Sequence, residues 1–280
     1  MPSAHRRSMT SPLLTAAVNE ALHAAARAGA STLECSLDLE RSQTAVGLDP
    51  AAWTWEGRRF PYLQTCRDRT IYHWTDESFQ PVARFTTSLV KLVPTQWGPP
   101  TFEIDGIKML PTASVSPFED AARKVALIQP RGKQILDTCG GLGYFATWCL
   151  RGQAAAVFSY EKNPDVIWLR SLNPWSPESG NGLTLTQGDI TGQIAGLPRE
   201  SVDAILHDPP RFGTAGELYS RVFYEQLARV LRRNGRVFHY TGAPNKLTSG
   251  RDVRNEVATR LRRAGFATEL DVDGILAMKK

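Results

Sequence analysis

The most informative stretch of this 280-residue chain is Ile-Leu-Asp-Thr-Cys-Gly-Gly-Leu-Gly at positions 135–143, between an apolar run and a helical pattern. Closely spaced glycines let a ligand lie directly on the backbone, because no side chain blocks its approach. Asp137 stands at the end of the predicted strand, where its carboxylate would repel a pyrophosphate and attract an ammonium group. The stretch therefore favours a ligand with an amino-acid portion, such as S-adenosylmethionine, over a dinucleotide.

Three further acidic residues follow predicted strands. Glu161 lies 20 residues beyond Gly141, the spacing of an acid that binds ribose hydroxyls. Asp189 follows Gly188, where it is placed to accept from an adenine amino group. Asp208 directly follows the fourth predicted strand, 202–207. Because the carboxyl ends of parallel strands share one edge of a sheet, we expect all four acids there, where ligands of such folds bind.

Asp208 lies in the cluster His207-Asp208-Pro209-Pro210-Arg211-Phe212. The Asp208 carboxylate or the Pro209 carbonyl is placed to accept a hydrogen bond from an amine nucleophile, although a purely structural loop is the alternative. His207 and His239 end neighbouring predicted strands, but no third ligand accompanies them, so no metal site is predicted. They are either ordinary hydrogen-bonded histidines or, for His207, a proton shuttle. Tyr219 and Tyr240 either wall the site or pack as core residues.

The elements that position these residues alternate between strand and helix patterns. The predicted strands are 134–138, 155–161, 183–187, 202–207 and 236–241, with a terminal hairpin over 267–272 and 275–278. The predicted helices are 144–150, 164–172, 217–233 and 252–264. Asp120 is expected to lead straight into the first strand. This alternation predicts an α/β fold with a parallel, doubly wound sheet of the Rossmann-like type.

The amino-terminal part follows a different pattern. Ser11-Pro12 predicts a helix start and Gly29 its end, and alternation from Leu33 to Leu39 predicts a strand. Further short strands are expected at 53–55, 71–74 and 102–110, the last turning at Asp105-Gly106. We therefore divide the chain into residues 1–115, a helix plus a small β-rich lid module, and residues 116–280, the catalytic domain. Four tryptophans of the module belong either to its core or to a lid: Trp53, Trp55, Trp74 and Trp97.

Composition adds limits. No apolar run reaches the length of a membrane span, and four cysteines without CxxC spacing fit a reducing cytoplasm. The net charge is +5, and residues 219–263 carry eleven of the Lys and Arg residues against three acids. Nucleic-acid binding is one interpretation of that segment, and solvated helix faces are the other, which we favour because no RNA-binding module accompanies it.

Residues 120–280 resemble class I S-adenosylmethionine-dependent methyltransferases, on the ordered series of Asp137 loop, Glu161, Asp189 and Asp208-Pro-Pro. More narrowly, they resemble a spermine-synthase-like subgroup. Its marks here are residues 102–124, Asp137 to Tyr144, Asn173-Pro-Trp-Ser176, His207 to Phe212, Gly216-Glu-Leu-Tyr-Ser220 and Phe238-His-Tyr-Thr-Gly242. The chain also resembles azetidine-2-carboxylate synthases. The resemblance implies a seven-strand methyltransferase sheet.

The resemblance also implies positions for the cosubstrate. Asp137, Gly141 and Gly143 would contact its methionine portion, Glu161 its ribose and Asp189 its adenine. Cys139 stands where the family usually has glycine, which should narrow the pocket. The predicted binding set is completed by residues adjoining these motifs: Tyr144, Lys162 and Ile190. In the catalytic motif Arg211 replaces the usual aromatic residue, which puts base stacking in doubt.

The expected activity is attack of an amine on a carbon bonded to the sulfonium. N-methyl transfer to a small molecule is the first expectation. Cyclisation of the cosubstrate to azetidine-2-carboxylate with release of methylthioadenosine, or aminopropyl-type transfer, is the second, and RNA methylation the third. The predicted catalytic residues are Asp208, Arg211, His207, Tyr219 and Tyr240, with S-adenosylmethionine as cosubstrate, no metal and no membrane partner.

Overall fold

The computed structural model describes residues 11–210, 215–242 and 252–280. The chain divides into two compact units. The first contains the residues up to Phe118 together with Ser171–Trp175, and the second contains Glu119–Arg170 and Ser176–Lys280. A short segment from the middle of the sequence thus belongs to the amino-terminal unit.

The described residues of the first unit form one complete helix and eleven short strands. They are β1 (Leu13–Leu14), α1 (Ala16–Arg27), β2 (Thr32–Cys35), β3 (Thr44–Leu48), β4 (Ala52–Trp55), β5 (Arg58–Pro61), β6 (Tyr72–Thr75), β7 (Ser78–Pro81), β8 (Ala83–Phe85), β9 (Leu89–Val93), β10 (Thr101–Ile104) and β11 (Ile107–Lys108). They form three antiparallel sheets in the orders β1-β6-β7, β2-β3-β4-β5 and β11-β10-β9-β8. The small β-rich module expected before residue 115 is therefore present.

Aromatic residues form the core of this unit. Trp53 is fully buried and stacks on Phe60 at 4.6 Å between ring centroids, and Trp74 meets Phe60 edge-on at 5.3 Å. Trp55 packs against the same cluster, whereas Trp97 is 40% exposed. Three of the four tryptophans thus belong to the core of their own module, which favours the core interpretation over the lid interpretation for them.

Helix α1 begins later than the sequence predicts. Ser11 does not cap it; its hydroxyl bonds the backbone of Trp74, and Leu13–Leu14 pairs with β6 as a strand. Thr15 caps the helix instead, accepting from Val18 N at 3.4 Å. The predicted start at Ser11-Pro12 is wrong because the next two residues, Leu13 and Leu14, pair as a strand, while the end at Gly29, with φ of 74°, is as expected.

The predicted strand over Leu33–Leu39 is also too long. Strand β2 ends at Cys35, and Asp38 then turns the chain by accepting from the backbone N–H groups of Arg41 and Ser42. Leu37 and Leu39 are nevertheless buried. Their alternation reflects burial in a turn rather than strand pairing.

The second unit contains the large sheet. Its elements are α2 (Pro117–Ile128), β12 (Gln134–Asp137), α3 (Tyr144–Arg151), β13 (Ala156–Glu161), α4 (Pro164–Leu172), β14 (Leu183–Gln187), α5 (Ile190–Gln193), β15 (Val202–His207), α6 (Arg221–Val230), β16 (Leu231–Tyr240), α7 (Val253–Arg263), β17 (Phe266–Leu270) and β18 (Gly274–Lys279). The strand order is β14-β13-β12-β15-β16-β18-β17. The first five strands in that order are parallel, and β18 is antiparallel to both of its neighbours. This is the predicted Rossmann-like seven-strand sheet.

Two local predictions in this unit are wrong. Asp120 does not lead into β12; it lies in α2, which begins at Pro117 with Ser116 accepting from Phe118 N and acidic residues in the first turn. The helix predicted over 217–233 is interrupted: Ser220 caps α6, and the chain is already extended at Leu231. A short 3-10 turn over Gly216–Tyr219 precedes that cap.

Candidate active site at the carboxyl edge of the sheet

The glycine-rich loop joins β12 to α3 in a tightly bonded turn. Gly140 N donates to Tyr160 O at 2.7 Å, and Gly143 N donates to Gly140 O at 2.8 Å. Gly141 and Gly143 have φ values of 48° and 82°, in the left-handed region that favours glycine. The loop therefore has the shape that the sequence predicts for a backbone platform under a ligand.

Asp137 is completely buried at the start of this loop. Its Oδ2 accepts a hydrogen bond from Ser159 Oγ at 2.8 Å, and its Oδ1 has no hydrogen-bond partner among the described residues. Burial raises the pKa of Asp137 to about 6, although the Ser159 hydrogen bond and the charge of Arg170 oppose the rise. A buried carboxylate oxygen without a partner is costly, and a positively charged ligand group would satisfy it.

Arg170 of α4 lies directly beneath the loop, and the sequence analysis missed it. A Cβ placed on Gly143 would come within 2.5 Å of Arg170 Cζ, and one on Gly140 within 2.3 Å of Ser159 Oγ. Arg170 is 3% exposed, and its charge acts on both Asp137 and Glu161. The glycines are thus required by the side chains below the loop as well as by any ligand above it.

Ser176 supports the same loop from the Asn173-Pro-Trp-Ser motif. Its Oγ donates to Leu142 O at 2.7 Å, and the residue is buried. The motif is itself held by hydrogen bonds within the first unit, from Arg41 to Pro174 O and from Trp175 Nε1 to Leu39 O at 2.9 Å. This gives a structural function to a motif that the sequence marks only by resemblance.

Glu161 ends β13 and joins the loop to the next helix. Its Oε2 accepts from Gly141 N at 2.9 Å and its Oε1 from Asn163 N at 2.8 Å. Burial raises its pKa, and the two backbone N–H groups oppose that rise. The predicted ribose-binding acid therefore lies against the predicted methionine-binding loop, as the shared sheet edge requires.

Asp189 lies at the end of β14, one strand further along. It caps α5 by accepting from Thr191 N at 2.9 Å, and its Oδ2 lies 2.8 Å from Lys162 Nζ. Lys162 is largely exposed, whereas Ile190 is buried in the hydrophobic core. The structure thus brings two residues of the predicted binding set, Lys162 and Asp189, into direct contact, with Ile190 in the core beside Asp189.

Cys139 and Tyr144 border the loop at its two ends. Cys139 packs against the main hydrophobic core, and burial raises the pKa of its thiol. Tyr144 is the first residue of α3 and is 4% exposed. The Tyr144 side chain is therefore largely withdrawn from solvent at the start of the helix that follows the loop.

His207 and His239 form a buried pair behind the Asp208 motif, with ring centroids 4.4 Å apart. His207 Nε2 bonds Leu218 O at 3.0 Å, so this nitrogen donates, and Nδ1 accepts from Thr138 Oγ1 at 2.7 Å. By the same logic His239 Nδ1 donates to Tyr240 O, and Nε2 accepts from the hydroxyl of Tyr224.

Burial lowers the pKa of both histidines, that of His239 to about 4. Two neutral histidines with every ring nitrogen engaged favour positioning of the Asp208 motif over proton shuttling. The described residues contain no group of three side chains that could hold a metal ion.

Asp208 lies among charged residues that the sequence analysis did not select. Burial raises its pKa to about 6, the positive charge of Lys124 opposes that rise, and Asp120 and Asp273 add to it. Lys124 Nζ lies 2.6 Å from Asp120 Oδ2 and 4.0 Å from the ring centroid of Tyr240. No short spacing in sequence signals this cluster, because its members come from α2, β15 and the β17–β18 turn.

The two tyrosines of the predicted catalytic set have different surroundings. Tyr219 is buried, and its hydroxyl donates to Pro210 O at 2.9 Å, so it fixes the Asp208-Pro-Pro segment. Tyr240 faces Lys124 as described above. Arg211, the remaining member of the set, lies outside the described residues.

Many arginines of the basic 219–263 segment have structural partners. Arg229 donates to the carbonyls of Leu197 and Ile194, and Arg260 donates to Tyr219 O. Arg221 and Arg232 pair with nearby acids, Glu225 and Asp203. These contacts give the four arginines a structural role, and the choice between a solvated face and a nucleic-acid surface stays a prediction. Within the described ranges, no helix combines the length and apolar character needed to cross a membrane.

Solved structures with the same architecture identify the fold class. A spermidine synthase in complex with the transition-state analogue AdoDATO matches with a TM-score of 0.57 and 15% identity, over 71% of this chain and 73% of that one. Spermidine synthase from Thermotoga maritima matches with a TM-score of 0.54 and 13% identity, over 70% and 71%. MNMC2 from Aquifex aeolicus matches with a TM-score of 0.52 and 19% identity, over 71% and 72%. The chain therefore has the class I, Rossmann-like fold of the S-adenosylmethionine-dependent methyltransferases and spermidine synthases.

Sequence similarity identifies the family. The uncharacterized protein MJ1233 of Methanocaldococcus jannaschii is 41% identical over 214 residues, which cover 75% of this chain and 73% of that protein. The chain belongs to the family of MJ1233. No protein-family model matches it.

Proposed function

We propose that this protein is an S-adenosylmethionine-dependent transferase in which an amine attacks a carbon of the sulfonium. The observation that carries the proposal is the buried Asp137 Oδ1, which has no partner among the described residues and stands at the start of a glycine platform. An α-ammonium group is the ligand chemistry that such a carboxylate selects. The complex of the similar spermidine synthase with AdoDATO supports the same ligand class.

The chain's residues fit the proposed cosubstrate in order along the sheet edge. Asp137 and the loop backbone would hold the methionine portion, Glu161 the ribose, and Asp189 with Lys162 the adenine side. The sulfonium would then lie towards Asp208, whose strand β15 is adjacent to β12. A positively charged sulfur makes each attached carbon electrophilic, so alignment and desolvation account for most of what the protein must supply.

Asp208 is the residue that we assign to the attacking amine. The nitrogen lone pair forms the new bond to carbon, the carbon–sulfur bond breaks with its electrons on sulfur, and the Asp208 carboxylate accepts the proton that nitrogen loses. A carboxylate with a pKa of about 6 is ionised at neutral pH and still basic enough for this step. Tyr219 positions the segment through Pro210 O.

N-methyl transfer to a small molecule is the first form of this reaction that we propose, because most proteins with this sheet and loop transfer methyl groups. Attack on the γ-carbon is the second, and the similarity to two spermidine synthases favours keeping it. There the leaving group is methylthioadenosine, and the attacking amine is either an external one or the cosubstrate's own, which closes azetidine-2-carboxylate.

Two measurements test the proposal. Calorimetry should show micromolar binding of S-adenosylmethionine without added metal, and weaker binding by about 1.5–3 kcal/mol in Asp137→Ala. Mass spectrometry of reactions with the cosubstrate alone, and with a set of primary and secondary amines, identifies the nucleoside. S-adenosylhomocysteine that appears only with an added amine indicates methyl transfer.

Methylthioadenosine above the spontaneous-breakdown control indicates attack on the γ-carbon, and azetidine-2-carboxylate in the acceptor-free reaction identifies cyclisation. Equal affinity of wild type and Asp137→Ala would refute the site. S-adenosylhomocysteine that forms when RNA is the only acceptor added to S-adenosylmethionine would assign the third form, RNA methylation.

A further inference from the structure

Lys124 is the least expected residue near the proposed catalytic carboxylate. It is 1% exposed, and its Nζ lies 2.6 Å from Asp120 Oδ2 and 3.5 Å from Asp273 Oδ2. The ammonium also lies 4.0 Å from the ring centroid of Tyr240, close enough for a cation–π contact. Removing an ammonium from water costs free energy, and an apolar side chain at position 124 would avoid that cost. We therefore expect the positive charge of Lys124 to have a function.

Lys124 and Asp208 both lie beside Tyr240. His207 pairs with His239 in the sheet, so Asp208 and Tyr240 are the next residues on two neighbouring strands, and the Lys124 ammonium contacts the Tyr240 ring. Among the opposite charges that favour the ammonium form of Lys124, Asp208 is the largest, ahead of Asp120 and Asp273. In the reverse direction, Lys124 is the influence that favours the ionised form of Asp208 against burial. Asp120 and Asp273 hold the ammonium in place but also disfavour ionisation of Asp208, so the cation is needed to offset them.

We propose that Lys124 is a positioning residue for the reaction at Asp208: its buried ammonium stabilises the carboxylate that accepts the proton of the attacking amine. The inference rests on the proposed function, because it assigns a purpose to the charge of Asp208. The neighbouring residue Arg123 fits this inference, because it provides a second positive charge for Asp273. Arg123 pairs with Asp271 at 2.7 Å and with Asp273 at 2.5 Å, which leaves Lys124 less fully committed to Asp273.

Other titratable groups also face Asp208 from the elements around it. Asp120 comes from α2, Asp273 from the β17–β18 turn, Asp137 and Cys139 from the end of β12, Tyr219 from the 3-10 turn and Tyr240 from β16. None of these is a cation. Within the described part of the chain, Lys124 is thus the positive charge that acts on Asp208 most strongly.

The test is a pH titration of Asp208 in the full-length protein. The carboxyl carbons of the aspartates are labelled with ¹³C, and NMR monitors their signals. The Asp208 signal is assigned by its loss in Asp208→Asn. In the wild type we expect a midpoint near pH 6, and in Lys124→Met a rise of about one pH unit or more, because an adjacent cation lowers an aspartate pKa by at least that amount. Lys279→Met, which removes a lysine paired with Glu200, is the matched control and should leave the midpoint unchanged.

A second pair of variants answers the objection that Lys124→Met does not fold. In Asp120→Asn/Lys124→Met no carboxylate at 120 is left unpaired, and Asp273 keeps Arg123. A higher Asp208 midpoint in this double variant than in Asp120→Asn supports the inference, and equal midpoints overturn it. Nucleoside formation by the wild type tests the proposed function separately. If the transferase function is wrong, no nucleoside forms; if the inference about Lys124 is wrong, the Asp208 midpoint does not change.

Discussion

Gly143 rests on the guanidinium of Arg170: a Cβ at residue 143 would lie 2.5 Å from Cζ and 2.7 Å from both Nε and Nη2. The backbone at this point has φ of 82°. Two independent constraints therefore require glycine here, one from the helix below the loop and one from the turn itself. Both act before any ligand binds.

The first prediction is that Gly143→Ala weakens both the fold and cosubstrate binding. A left-handed conformation costs a non-glycine residue roughly 1–2 kcal/mol, and displacing a packed side chain adds about 1–3 kcal/mol. We expect a lower free energy of unfolding in urea and a higher Kd for S-adenosylmethionine in calorimetry.

Gly196→Ala is the matched control for this change. Nothing lies within 4 Å of a Cβ at residue 196, and its φ is not positive. Its stability and affinity should therefore stay close to the wild type. Normal binding by Gly143→Ala would mean that the loop does not carry the ligand.

The sequence allowed the sheet and the loop to be predicted because both depend on local signals. Strand β14 and helix α4 have their predicted bounds, since alternation and proline or glycine boundaries are readable within a few residues. Asp137, Glu161, Asp189 and Asp208 were found because each is the last residue of a strand or comes within two residues after one. Spacing along the chain is sufficient for such residues.

The supporting residues could not be predicted in that way. Arg170 lies 33 positions from Asp137 in the sequence and meets it only through the fold, and Lys124 meets Asp273 from the opposite end of the domain. In the sequence, Arg170 is only a basic residue in the last turn of α4, and Lys124 belongs to a helix that the sequence analysis did not anticipate. Buried charges carry no local signal, because their partners are distant.

The second prediction concerns the pH dependence of stability. The pKa of Asp137 is about 6 in the folded protein and 3.8 as its ordinary value. The native state therefore keeps this proton at a pH where the unfolded chain has lost it. Stability from this group is present below about pH 4 and is lost as the pH rises to about 6.

Asp137→Asn removes that loss. Relative to the wild type, the variant should gain up to about 3 kcal/mol of unfolding free energy between pH 4 and pH 7, while binding S-adenosylmethionine more weakly. Urea denaturation at the two pH values measures the gain. A variant whose relative stability does not change with pH would contradict the raised pKa. The expected combination, higher stability with weaker binding, would show that Asp137 is retained for its charge and not for stability.

A third prediction separates the charge of Glu161 from its hydrogen bonding. Both of its oxygens accept backbone N–H groups, from Gly141 and Asn163. Glu161→Gln keeps one acceptor and leaves the other N–H facing an amide, whereas Glu161→Ala loses both acceptors. We expect calorimetry to show a larger loss of S-adenosylmethionine affinity for alanine, on the order of 1.5–3 kcal/mol, than for glutamine. Equal losses would mean that charge alone matters.

The fourth prediction tests the support that Ser176 gives the loop. Ser176→Ala removes the donor to Leu142 O and leaves that carbonyl without this partner. The expected cost is about 1 kcal/mol of stability, with a raised Kd for S-adenosylmethionine. Ser201→Ala, which removes an exposed hydroxyl bonded to Pro198 O, is the control and should leave the Kd unchanged. Equal Kd values for both variants would refute the support.

The last prediction concerns Tyr219, whose hydroxyl donates to Pro210 O two residues beyond Asp208. Tyr219→Phe keeps the buried ring and removes only that hydrogen bond, so the hydrophobic core is preserved. If the bond positions Asp208, nucleoside formation should fall by about tenfold, which corresponds to roughly 1.4 kcal/mol, while the Kd for S-adenosylmethionine stays near the wild-type value.

Tyr62→Phe provides the matched control, because Tyr62 donates a comparable bond, to Asp49 O, within the amino-terminal unit. It should change neither rate nor Kd. A fall in rate equal to that of Tyr219→Phe would trace the effect to general stability, and a raised Kd in Tyr219→Phe would assign the bond to cosubstrate binding. A lower rate in Tyr219→Phe alone, with binding intact, would place the Asp208-Pro-Pro segment at the reacting carbon.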